Sequence, residues 1–550
     1  MKRFGVATLA TILIAVTAVL TAVIASPAGA VTAVAAVPPP TVKPFGESID
    51  VRVVNVEAVV TDRKGARVSK LTAGDFRLLV DGREVPIDYF TEVAAGQAVA
   101  PAPVRGGEAA APTAPATIAE PGEAVGTNYL VYIDDQFSIQ LKRNLVLQKL
   151  AASLGRLGPH DRMAVITFDG HKLERLSDWT GDRKALEKVF ADAEVRPSFG
   201  LLALAETRSD LNDNEMLPDS ASAAVSIGWG INIGMRAVVA AMRGTPAPPG
   251  RKVMMFLNGG WGLPDVPQPD RGAPSAVNLP EAQKIFSPVF ETANLLGYTL
   301  YTIEVPNPQV LSSWNDASAM GSTPHDFITS SYGRSVHEDL EVMAGQTGGK
   351  AILNSAWQDA FERVTADTSS YYWLGFTPQW KADGSHHEIK LEVRRPGLAV
   401  RSRSGFSDLS RETEAQVQAE SLLLYGHSAT ERPLAVTAGV LRRVSFLRRE
   451  LPVTVEVPAD ALAPQVEEGL WSLVGTLSIA ILEKGGANPH WRTLPVHFKS
   501  NGLPPAGATT SVQTILKLPR STSRVVFAVG GEHGEVRAWS ELDLQTVQRE

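Results

Sequence analysis

The sequence predicts an α/β fold: a doubly wound, Rossmann-like domain over residues 127–369, preceded by a small β module and followed by a C-terminal β-sandwich. Three observations carry this. Tyr129-Leu130-Val131-Tyr132-Ile133 is an unbroken apolar run ending in Asp134-Asp135, the pattern of a strand buried on both faces of a parallel sheet. Runs of this kind then alternate with helix-period segments over about 240 residues. Outside that region the chain carries mainly short alternating or apolar runs bounded by turn residues.

In the first of these flanks, residues 48–93, Val51, Val53, Asn55, Glu57 and Val59 form one face of a strand, and Asp62-Arg63-Lys64-Gly65 and Asp81-Gly82 supply turns. Residues 94–126 are Ala-, Pro- and Gly-rich with no aromatic residue, which predicts a linker. After the 129–133 strand, Leu147, Leu150, Leu154 and Leu157 mark a helix stopped by Gly158-Pro159. Strands are then expected at 163–168, 253–257, 298–305 and 350–353, with helices at 182–193, 233–243, 281–296, 336–344 and 356–369. Residues 370–406 read as strands expected to pair with 48–93, so that the α/β domain is inserted into one sandwich. In 407–550, a helix at 412–425 precedes five apolar runs, at 453–457, 471–482, 494–498, 512–518 and 525–529, expected to form the terminal sandwich.

The whole chain is 550 residues long, 44% hydrophobic and 20% charged, enough for several domains. Its net charge of -7 and the absence of a basic stripe exclude a nucleic-acid binder. With no cysteine there is no disulfide framework, thiolate nucleophile or Cys-ligated zinc. Met1-Lys2-Arg3, an apolar run of about 22 residues to Ala25, and the small residues Ser26 to Ala30 read as a signal peptide over 1–30. The expectation is export, to periplasm, cell surface or medium. Membrane contact is expected only if that run is retained as an anchor.

Asp134-Asp135-Gln136-Phe137-Ser138 follows the first strand where von Willebrand factor A-type (VWA) domains place the Asp-x-Ser-x-Ser segment of their metal-ion-dependent adhesion site. Gly230-Ile231-Asn232-Ile233-Gly234-Met235 resembles the family's loop and helix beginning Gly-Thr-Asn, Val253 to Gly259 its strand ending in Thr-Asp-Gly, and Thr347-Gly348-Gly349 its last turn. The flanks resemble a bacterial, chiefly acidobacterial, group of VWA-related proteins. Asp75-Phe76-Arg77-Leu78 with Asp81-Gly82 is similar to that group's leading segment. Tyr372 to Pro378, His387 to Leu391 and Arg395-Pro396-Gly397 are similar to its closing one.

The resemblance implies a hard cation such as Mg²⁺ held by carboxylate, hydroxyl and water oxygens. Asp134 and Ser138 match that ligand set, whereas Gln136, Ile231 and Asn258 replace the first serine, the loop threonine and the aspartate of Thr-Asp-Gly. The site reads as degenerate, and no cofactor is expected. Asp134 is expected instead to bond the first helix's N-terminal amides. Recognition of a protein partner is expected to pass to three long segments at the ligand edge, 198–226, 259–280 and 306–335, with Trp229, Trp261 and Trp314 as anchors.

Other motifs carry less. Gly345 to Lys350 lacks the spacing and the Ser or Thr of a phosphate loop, and His386-His387-Glu388 puts adjacent residues on opposite strand faces. No Gly-x-Ser-x-Gly elbow occurs. The chain therefore reads as an extracytoplasmic protein-binding or adhesion module and not an enzyme. The alternatives are a structural subunit of an envelope assembly, or a hydrolase with an unrecognised site.

Overall fold

A computed structural model describes residues 53–99, 119–203, 220–260, 282–306, 337–410 and most of 432–549, with isolated positions between 413 and 422. The expected signal segment, most of the expected linker and most of the expected 412–425 helix lie outside the described residues.

Two sheets made from both flanks of the α/β region form the first sandwich. Val54–Asp62 pairs antiparallel with Tyr371–Phe376 and Leu398–Arg401, and Tyr371–Phe376 pairs in turn with Tyr89–Ala94. Opposite lie Phe76–Val80, Arg83–Val85, His386–Val393 and Gly405–Ser407. Strand alternation decides which way each side chain faces. Val54, Val56, Ala58 and Val60 enter the core with Phe76, Leu78, Phe90, Tyr372 and Leu374, whereas Glu57 faces the α/β region. Tyr372 brings a hydroxyl into this core and satisfies it, accepting from Leu71 N at 3.1 Å and donating to Val68 O at 3.0 Å.

Between these flanks runs a six-stranded sheet in the order Lys350–Ile352, Tyr298–Glu304, Arg251–Asn258, Thr127–Asp134, Arg162–Phe168, Leu173–Thr180. The first five strands are parallel and the last is antiparallel. Leu130 and Tyr132 point to one face, packed with helices Ser220–Gly244 and Ala282–Leu296. Tyr129, Val131 and Ile133 point to the other, packed with Gln140–Ala152, Arg183–Glu194 and Ala360–Thr368. Two covered faces are why the strand sequence is apolar throughout instead of alternating.

Three expectations change here. The Leu173–Thr180 edge strand, LERLSDWT, was not expected, because it is largely half-buried and polar. The helix expected at 233–243 begins at Ser220, so Gly230 and Ile231 lie within a helix and not on a loop. The segment 198–226 is accordingly not one loop, and residues 200–203 are themselves helical.

The amino end of the sheet is clamped to the sandwich by buried charge. Arg251, the first residue of its strand, pairs with Glu57 at 2.9 Å, donates to Thr368 O at 2.8 Å and lies 4.1 Å over the Tyr371 ring. Asp367 receives Arg67 at 2.6 Å, Lys350 at 2.8 Å, the Tyr301 hydroxyl at 2.5 Å, and Arg401. Burial alone would raise the Asp367 carboxyl, but Arg401 and Lys350 outweigh it and hold the group far below the usual carboxylate range.

The last region is a second sandwich. One sheet is built on Arg448–Pro458 with Ala435–Ala438, Arg442–Arg443 and Thr509–Pro519; the other on Leu470–Glu483 with Ala463–Glu467, His490–Ser500, Thr522–Gly530 and Val536–Leu542. Val453, Val455, Val457, Leu477, Ile479, Val525 and Phe527 fill the space between them.

Candidate functional site

Thr127–Asp134 is the strand at which the order of the sheet reverses. The chain proceeds from it to Arg162–Phe168 on one side, and later builds Arg251–Asn258 against its other side. Helices leaving in opposite directions from such a point open a crevice at the carboxyl ends of the two strands. Asp134 and Asn258 terminate those strands, and Ile133 opposite Leu257 sets them side by side.

Asp134 is fully engaged. Its Oδ1 accepts the backbone N–H groups of Gln136 at 3.0 Å and Phe137 at 3.1 Å, and its Oδ2 accepts the side-chain amide of Asn258. Asn258 Oδ1 accepts Gly260 N at 2.5 Å, which fixes the amide with its nitrogen toward the carboxylate. The amides bound are those of the turn after the strand, not of the first helix as expected, because that helix starts only at Gln140, behind Ile139.

The site is also closed: Asp134, Ser138 and Asn258 are buried. Phe199 N donates to Asp135 O at 2.7 Å and Gly200 N to Ser138 O at 3.0 Å, while the Ser198 hydroxyl reaches the same Ser138 carbonyl. A Cβ on Gly200 would stand 2.5 Å from that carbonyl, so only glycine permits this approach.

These residues do not fit a divalent cation. Ile231 is buried in the helical face beneath and offers hydrocarbon. Asn258 turns nitrogen, not oxygen, toward Asp134. Gln136 Oε1 and Ser138 Oγ are buried without a hydrogen-bond partner, but two neutral oxygens beside one occupied carboxylate do not repay the dehydration of Mg²⁺. Among the described residues no group of three or more His, Asp or Glu side chains could hold a metal.

Asp135 turns away from this site. Its carboxylate receives Arg143 and the Thr167 hydroxyl, and burial raises its pKa against the opposing pull of Arg143. Arg143 also donates to Ala193 O at 3.1 Å, Arg196 O at 3.0 Å and Asn144 Oδ1 at 2.8 Å. One buried guanidinium thus ties the turn to the carboxyl end of Arg183–Glu194. Sequence reasoning passed over Arg143; its signal was a charged residue on the apolar face it shares with Val146, Leu147 and Leu150.

The side chains of the three expected aromatic anchors lie outside the described residues. Trp229 lies on the Ser220–Gly244 helix, not on a loop, and its side chain is outside the described residues. Trp261 and Trp314 lie outside them entirely, as do most of the segments expected to recognise a partner.

No known family's sequence profile matches the chain, and no curated protein does. Among solved structures it is similar to the TFIIH p34 N-terminal domain, at 11% identity over 44% of this chain and 97% of that one, with a TM-score of 0.19. It is also similar to the PilB minor pilin from Streptococcus sanguinis, at 10% identity over 60% of this chain and 89% of that one, with a TM-score of 0.22. TM-scores below 0.5 carry no argument about fold or function.

Proposed function

We propose that the chain is an exported, non-enzymatic binding module of the VWA type, in which an amide–carboxylate pair has taken the place of the adhesion cation. The observation that carries this reading is the Asn258 amide on Asp134 at the sheet's switch point, in the crevice where such folds bind ligands. With that position filled from within, recognition of a protein partner falls to the segments that leave the same edge after Ser198, Asn258 and Val305.

Calorimetric titration of the full chain with Mg²⁺ and Mn²⁺ tests the first half: no saturable heat is expected, and heat abolished by Asp134→Ala would overturn it. The second half is tested by capture of envelope proteins on the immobilised chain with and without residues 264–275. Loss of the captured partner is expected, and unchanged capture would overturn the assignment to this edge.

A further inference from the structure

At one end of the terminal sandwich a hairpin tip stands beside the turn at Arg520 that carries the chain from one sheet to the other. Arg442–Arg443 pairs with the start of Arg448–Pro458, Arg443 opposite Arg449, leaving Val444 to Leu447 as the connection. The connection is ordered: Val444 N and Ser445 N both donate to Arg448 O at 3.1 Å, and Ser445 Oγ accepts Arg448 N at 3.1 Å. Arg520, in the neighbouring turn, donates its N–H to Leu447 O at 2.9 Å.

This fixed tip holds its apolar side chains outward. Val444, Phe446 and Leu447 are 59%, 68% and 67% exposed, and none belongs to the sandwich core. The guanidinium carbons of Arg520 and Arg443 lie 5.3 and 5.7 Å from the Phe446 ring centre. Just behind, a groove of about 640 Å³ is lined by Arg448, His490, Arg492 and Lys517 among apolar neighbours.

The charge here opposes that of the whole chain. Among the described residues no carboxylate pairs with Arg443, Arg448, Arg449, Arg492, Lys517 or Arg520. Glu450 is the one acidic residue in 442–450 and 515–524, although the chain's net charge is -7. Burial, then repulsion from Arg549 and Arg520, lowers the Arg449 pKa below the guanidinium norm, as in an uncompensated positive patch.

We propose that this tip docks the protein on an anionic phospholipid membrane, Val444, Phe446 and Leu447 entering the interface and the surrounding arginines and Lys517 binding lipid phosphates. A projecting apolar wedge ringed by guanidiniums matches a bilayer, which yields to a convex surface and is negative at headgroup depth. A rigid protein pocket would have to be built to its shape. The sequence reading, which expected membrane contact only through an N-terminal anchor, passed over the run Arg442 to Arg449 although it is contiguous; folding adds Arg492, Lys517 and Arg520 to it. The proposal is independent of the reading of the Asp134 edge.

Co-sedimentation of the full chain with vesicles of phosphatidylcholine, with and without phosphatidylglycerol, tests it at low and high salt. Binding is expected only with phosphatidylglycerol, weakened by salt, and reduced about tenfold or more by Phe446→Ser with Leu447→Ser and by Arg443→Glu with Arg448→Glu. These side chains are exposed, so unchanged circular dichroism is expected for both pairs. The chain has no cysteine, so Val444→Cys gives a unique site for an environment-sensitive dye, whose emission should shift blue on the anionic vesicles. Binding that survives both double substitutions, as insertion of the apolar segment 4–25 would, overturns the proposal. So does a tip that proves to bury itself in a second copy, seen as an oligomer dissolved by the same substitutions in sedimentation velocity.

Discussion

Asn258 spans the switch point of the sheet, donating its amide N–H to Asp134 and accepting the Gly260 N–H on its carbonyl oxygen. Two strands that diverge in topology are thereby tied at their carboxyl ends by a neutral donor, where an aspartate would require a cation.

Asn258→Asp should therefore place two carboxylates in contact within a buried site. The expected cost is about 2–4 kcal/mol in urea unfolding at neutral pH, smaller near pH 5 where the pair can share a proton. Mg²⁺ should not restore the single variant, since Ile231 still offers no oxygen. Adding Ile231→Thr and Gln136→Ser should produce Mg²⁺-dependent stabilisation. A single variant as stable as wild type at every pH would refute this account of the pair.

Arg143 and Asp135 form the second buried unit of the site. Removing one partner strands a buried charge, so Arg143→Met is expected to cost about 3–5 kcal/mol. Arg143→Met combined with Asp135→Asn should cost less than Arg143→Met alone. Arg143→Lys should recover little, because a lysine cannot reach Asp135 and the carbonyls of Ala193 and Arg196 together. A double-mutant cycle in denaturant measures the coupling.

How much of this was legible beforehand follows from the range of the forces involved. Tyr129 to Ile133 announces a strand covered on both faces because burial acts on every residue of it, and the chain is strand there. Leu173–Thr180 left no comparable pattern: it is an edge strand, half wetted, whose place comes from pairing with Arg162–Phe168. Ile231 illustrates a different limit. Matching it to a loop threonine located the substitution, yet the segment is helical and buried, a tertiary outcome that local pattern does not encode. At the site, the loss of cation ligands was readable from Gln136, Ile231 and Asn258. That Asn258 would aim nitrogen at Asp134 was not, since either end of an amide satisfies the same sequence.

Asp339 gives stability a pH dependence of definite sign. Burial, reinforced by Glu338, raises its carboxyl to about 7, and its Oδ2 has no hydrogen-bond partner. A carboxyl raised above its unfolded value of 3.8 contributes fully below that value, and its contribution is lost as pH rises through about 7. Asp339→Asn keeps the neutral form at all pH. It should match wild type near pH 4 and exceed it at pH 8 by roughly 2–4 kcal/mol. His337 adds a separate loss at higher pH, because its bond to Glu304 raises its pKa above 6.5, but this acts in both proteins alike. Equal stability of the two proteins at pH 8 would refute the assignment.

The clamp at the amino end of the sheet predicts two unequal responses. Arg251 is buried and Glu57 largely so, and each provides the other's main charge compensation, with Thr299 Oγ1 adding one hydrogen bond to Glu57 at 3.1 Å. Glu57→Gln should cost about 3–5 kcal/mol by leaving a buried guanidinium without its counter-charge. Asp367, in contrast, holds three cations. Losing the partly exposed Arg67 by Arg67→Ala still leaves two, so that change should cost no more than about 1 kcal/mol. Since Glu57 stands on the flanking sandwich and Arg251 on the central sheet, Glu57→Gln should also uncouple the two in unfolding. Its calorimetric trace should broaden or split into two transitions, whereas that of Arg67→Ala should keep the wild-type shape. Equal costs for the two substitutions would show that the clamp is carried by packing and not by this ion pair.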